Sequence, residues 1–122
     1  MEQAYLYLNA VLYAALAAWC TLAPRGTAAA QGFHQLANGG RSEYLVIYGG
    51  LQFGLAAFFW YVARLPDPRV GLVFALALYV PIVLFRLVTV ARFRPVGRTT
   101  VVVAALEVVL LAMAVGLWVR AG

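Results

Sequence analysis

Two charged residues, Arg86 and Glu107, stand inside stretches of sequence that are otherwise oily. An ionisable side chain in hydrocarbon costs ~2.5–3.5 kcal/mol on insertion scales, so it persists where it meets a partner or a wet cavity. Arg86 lies five residues before the end of its apolar stretch, and Glu107 lies eight residues into the next one. On successive antiparallel helices these positions differ by only ~4–5 Å at helical rise. That difference is within reach of a long arginine side chain, so the spacing predicts an Arg86–Glu107 ion pair. Such a pair can bolt two helices together, or it can line a ligand or proton pocket. In the second role Arg86 meets an anionic or polar head. Glu107 is then its counter-ion and the one candidate acid or base.

Other polar groups belong near the same level. Tyr48 and Gln52 are four apart and share a helical face, able to hydrogen-bond a ligand. Tyr13 and Asn9 share a face of the first apolar stretch, and Tyr79 and Arg86 share one of the third. Pro81 removes a backbone donor between the latter two and leaves a carbonyl needing another partner. Tyr13, Tyr48, Gln52, Tyr79, Arg86 and Glu107 are therefore the candidate ligand-binding set. Glu43 is added at the opening of the second stretch, where a first-turn carboxylate also suits the helix dipole. His34 is the only histidine and Cys20 the only cysteine. Neither a metal site nor an internal disulfide can be built from them. No nucleophile motif, phosphate-binding glycine loop or nucleotide fold is present, and no cofactor is expected.

These groups need elements to hold them, and the composition says which. Of 122 residues, 66% are apolar and 11% are charged. A soluble domain carries roughly twice that share of charge. Four nearly uncharged stretches run over 4–23, 44–63, 70–91 and 99–119, each 20 to 22 residues long. At ~1.5 Å per residue each crosses a bilayer core of about 30 Å. The expected fold is an all-α membrane protein, one domain over 1–122, formed by a four-transmembrane-helix bundle. The first stretch lacks a basic residue ahead of it and is long for a signal core, so it is expected to be retained as a span.

Gly49, Gly50 and Gly54 form a small-residue step that lets helices approach closely. Contact within the chain is the first expectation; contact between copies, or with a partner subunit of a membrane complex, is the alternative. Pro66 and Pro68 stop the second helix sharply. The loop after the first helix is longer. There Ala29, Phe33 and Leu36 recur at helical spacing, with Thr27 as a cap and Asn38-Gly39-Gly40 as a terminator. That pattern predicts a short interfacial helix over 27–37, after which Ser42 caps the second span.

All nine basic residues are arginines, and all but Arg86 lie at the ends of the apolar stretches. This pattern points to membrane lipids and topology, not to nucleic acid. Four spans put both termini on one side. Arg25, Arg41, Arg92, Arg94 and Arg98 fall on the other side, against Arg64, Arg69 and Arg120, so the positive-inside rule leans toward cytoplasmic first and third loops. His34 reads as a solvated or headgroup-facing histidine.

The segment from Gly40 to Gly54, with Glu43, four residues, then Tyr48-Gly49-Gly50, resembles the signature of a family of uncharacterised small four-helix bacterial membrane proteins, a domain of unknown function. An arginine late in the third helix and a glutamate in the fourth, here Arg86 and Glu107, belong to the same resemblance. The chain departs from it at Leu45-Val46, where many members carry Arg-Ala. The resemblance implies a four-helix fold in the bacterial inner membrane and no particular activity.

The leading functional expectation is a protein that binds or transports a small amphiphilic or apolar ligand, such as a lipid-like molecule, in an intramembrane polar pocket. The first alternative is an intramembrane acid/base enzyme, of isomerase or cyclase type, using Glu107 on a lipid-soluble substrate. The second is a structural or accessory subunit. A small proton-coupled exporter fits less well, because such proteins place an essential glutamate in helix one and here that helix has only Glu2, at its start.

Overall fold

The computed structural model describes residues 1–121. Among them are four long helices and one short one, and no strand: α1 (Glu2–Leu22), α2 (Pro24–Ala30), α3 (Asn38–Ala63), α4 (Arg69–Arg92) and α5 (Arg98–Ala121). All but α2 are long and apolar enough to cross a membrane. The fold class is the one the sequence implies, an all-α, four-span helical bundle.

α1 packs along α3, and α4 packs along α5, so the bundle is two helical hairpins laid together. Their shared core lies toward the end that carries both termini. There Leu6, Phe59, Leu72 and Ala75 are fully buried, with Leu110 and Ala114 closing the layer from α5. Gly71 makes the hairpins fit. A Cβ at that position would lie 2.6 Å from Leu6 Cδ1 and 3.0 Å from Val62 Cγ2, so only hydrogen leaves room. The outward faces are apolar, with Phe85, Val88 and Val119 mostly exposed. That is what a lipid-facing surface requires, because the tails are as oily as the side chains.

The first loop departs from the sequence expectation. The short helix occupies Pro24–Ala30 instead of 27–37. Proline suits a first helical position because its missing N–H would have no partner there, and Pro24 starts this helix. Gly32 ends it with φ +97. The Gly32 N–H donates to Ala29 O at 3.0 Å and the Phe33 N–H to Ala28 O at 2.8 Å, the paired bonds of a Schellman stop. Thr27 does not cap; its hydroxyl donates back to Ala23 O at 2.8 Å. Asn38-Gly39-Gly40 begin α3 instead of terminating α2, and Ser42 sits inside α3 instead of capping it. The second span therefore starts at residue 38 and not 44.

α3 also contains a π-helical turn over Val46–Leu51, a feature no apolar periodicity announces and one frequent at functional sites. Only Gly49 of the glycine step faces inward, where a Cβ would stand 2.8 Å from Thr21 Oγ1 of α1. Gly50 and Gly54 are exposed with no atom within 4 Å of a Cβ. The expected close seam within the chain is thus confined to Gly49. The inward stripe of α3 continues through Ala56, Phe59 and Val62, leaving Gly50 and Gly54 on the outer face.

Candidate functional site

The helices part toward the end that carries the first and third loops. The result is a cavity of ≈ 530 Å³ lined by all four spanning helices and by the α2 region. Core residues fill the other end, so the hollow begins where Tyr13 and Tyr79 replace aliphatic packing. Tyr13, Tyr48, Gln52, Tyr79, Arg86 and Glu107 all line it. The rest of the wall is largely aliphatic, with Leu16, Leu55, Leu78 and Ile82 among its members.

Arg86 and Glu107 meet on its wall. Arg86 Nε donates to Glu107 Oε1 at 2.8 Å and Nη2 donates to Oε2 at 3.0 Å. This bidentate geometry is the strong form of the pair. The carboxylate side chain is 15% exposed and the guanidinium 32%. A guanidinium carries five N–H donors, so Arg86 keeps three beyond those given to Glu107.

Gln52 supplies the unsatisfied group. Its Oε1 is buried and has no hydrogen-bond partner among the described residues. A buried acceptor left unpaired costs roughly 1–3 kcal/mol. Its residue lines the cavity, so an occupant of the cavity can relieve that cost.

The tyrosines divide into two roles. Tyr79 is buried and its hydroxyl donates to Asn9 Oδ1, while Asn9 Nδ2 donates to Tyr5 O at 2.9 Å. The Tyr5 hydroxyl in turn donates to Leu110 O at 2.8 Å, crossing from α1 to α5. Tyr79 thus forms the floor of the cavity and belongs to a polar tether between hairpins. Tyr13 stacks on Phe59, with centroids 5.8 Å apart. Tyr48 stacks on Tyr44 at 4.7 Å and makes no side-chain hydrogen bond among the described residues.

Glu43 is not part of this arrangement. It is exposed on the first turns of α3, outside the cavity wall. The early start of α3 carries it into an exposed turn away from the cavity.

Several participants were not singled out by sequence reasoning. The Tyr44 hydroxyl donates to Thr27 Oγ1 at 2.8 Å and accepts from Gln31 Nε2 at 3.1 Å. These bonds fasten α2 to α3, and Thr27 and Gln31 line the cavity. Thr27 and Gln31 are four apart on a face that would have hinted at this. Cys20, Thr99 and Thr100 also line the hollow. Asn9 was visible as a polar residue in an apolar stretch, but its partner Tyr79 is 70 residues away.

The fold and cavity together define a small multi-pass helical membrane protein with a hollow between its two hairpins. No family model matches the chain, and no curated protein or solved structure does either.

Proposed function

We propose that the protein holds a small, electrically neutral amphiphile in the cavity between its hairpins, either to carry it or to present it. The carrying observation is the buried, partnerless Gln52 Oε1 in a hollow whose remaining wall is largely aliphatic. That combination asks for an apolar body with one hydrogen-bond donor. A hydroxyl group fits best, since it satisfies the Gln52 amide whichever end that amide presents. Arg86 and Glu107 neutralise each other, so an anionic head would face the carboxylate as well as the guanidinium. A neutral head meets no such opposition and can accept from the free Arg86 N–H groups.

Use of Glu107 as an acid or base receives less support. Both of its oxygens accept from Arg86, so protonating it would break a bidentate ion pair first. Membership of the four-helix bacterial family rests on the Gly40–Gly54 motif, and with it a place in the bacterial inner membrane. The arginines of the first and third loops favour the cytoplasmic side for that end of the bundle; reporter fusions to the two termini, expected outside, test this.

The central experiment is mass-spectrometric identification of what co-purifies with the protein from its membrane. A hydroxyl-bearing amphiphile is expected at near one per chain, and it should be lost from Leu55→Trp, which fills the hollow. Recovery of nothing beyond the bulk lipid composition, in wild type and variant alike, overturns the reading.

A further inference from the structure

A second hollow, of ≈ 840 Å³, lies beside the first at the same end of the bundle, formed by α2, the segment after it and the start of α3. Its basic lining residues are Arg25, His34 and Arg41, with no aspartate or glutamate among its walls. Among the described residues the sole ion pair is Arg86–Glu107, so neither Arg25 nor Arg41 has a carboxylate partner. Glu43 is two residues from Arg41, a spacing that faces away on a helix. The positive charge of this cleft is therefore not answered from among the described residues.

The cleft is separated from the inner cavity by three rings. Phe33 lines both hollows, Tyr44 lines the outer one and Tyr48 the inner one. Phe33 stands edge-on to Tyr44 and Tyr48, with centroids 6.0 and 6.3 Å away. Ala28, Ala29 and Leu36 give the cleft an apolar flank beside its arginines. Phe33 on its wall is exposed, as aromatic groups are at a membrane–water boundary.

We infer that the Arg25–His34–Arg41 cleft binds the phosphate head of an anionic membrane lipid. The chemistry is direct. Two unpaired guanidinium groups offer charge-assisted donors to phosphate oxygens, the histidine adds a further donor, and the apolar flank receives the upper part of an acyl chain. The site is separate from the inner cavity and does not depend on the neutral-ligand reading. The inner hollow holds a self-neutralised pair, whereas the outer one holds net positive charge.

Native mass spectrometry of the full-length protein, exchanged between phosphatidylglycerol and phosphatidylcholine, tests this. Wild type is expected to retain phosphatidylglycerol preferentially, by about fivefold per arginine, and the preference should shrink as ionic strength rises. Arg25→Gln/Arg41→Gln should remove it while circular dichroism shows unchanged helix content; Arg41→Gln alone should remove part of it. Arg64→Gln/Arg120→Gln, at the other end of the bundle, should keep it. Absence of a preference in wild type, no response to salt, or equal loss in both double variants overturns the proposal. So does uptake of inorganic phosphate by a protein that retains no phosphatidylglycerol, which would mark a site for the free ion.

Discussion

Arg86 and Glu107 face each other with Nε 2.8 Å from Oε1 and Nη2 3.0 Å from Oε2, joining α4 to α5 within the hydrophobic length of both helices. The pair closes the second hairpin at the end where the bundle is hollow. Apolar packing is thinnest there, so the ion pair does the holding that a filled core does at the other end. Removing one partner leaves the other charged in poor surroundings. Arg86→Ala and Glu107→Ala should each cost about 1–3 kcal/mol, below the ~3–5 kcal/mol of a fully buried pair because the guanidinium is partly exposed. The double variant should lose less than the two singles together, by roughly 0.5–3 kcal/mol. Unfolding titrations in detergent read this directly, and additive losses would show the two groups to be energetically independent.

Tyr79 and Asn9 tie the hairpins where they touch. Both are buried, and the asparagine amide is used at each end, accepting from Tyr79 and donating to Tyr5 O. Tyr79→Phe leaves the Asn9 carbonyl without its donor. Hydrogen bonds between membrane helices average about 0.6 kcal/mol and reach ~1.7 kcal/mol; this one should lie near the upper figure because neither group can reach water. Asn9→Leu/Tyr79→Phe should recover part of the loss, since replacing both partners by apolar groups strands neither. Thermal unfolding of the wild type and the two variants checks the order.

The four spans and the Arg86–Glu107 pair were legible in the sequence for one reason: charge in oil is expensive, so uncharged runs and the exceptions within them both carry information. Six polar residues expected near one level do line a single cavity: 3.6-residue periodicity places Tyr79 with Arg86, and the π-turn through Tyr48 still leaves it on the same side as Gln52. What stayed hidden depends on backbone detail. Gly32 at positive φ stops α2, a role that Asn38-Gly39-Gly40 could equally have filled by composition. The early start of α3 then carries Glu43 outward. The π-turn at Val46–Leu51 leaves no trace in hydropathy. The contact of Tyr44 with Thr27 joins segments whose separation obeys no helical period.

Glycines that look alike in sequence should behave differently. Gly71→Ala must push a methyl into Leu6 and Val62, both fully buried, at a cost of about 1–3 kcal/mol, as for other overpacked cores. Gly50→Ala and Gly54→Ala meet nothing within 4 Å. They should be neutral or stabilise by up to ~1 kcal/mol through helix propensity. Melting temperatures of the three alanine variants, measured side by side, separate the packed glycine from the two outward ones.

Gln52→Leu is expected to move stability and binding in opposite directions. The native amide leaves Oε1 buried without a donor, so an apolar side chain of similar size removes a desolvation cost and should raise stability by about 1 kcal/mol. The same change deletes the group that a ligand hydroxyl would engage, so the co-purifying amphiphile should be depleted. A purely structural glutamine gives a different result: its replacement lowers stability and leaves the bound molecules as they were. Measuring the unfolding free energy of delipidated protein together with the extracted small molecules therefore separates a binding cavity from an incidental gap.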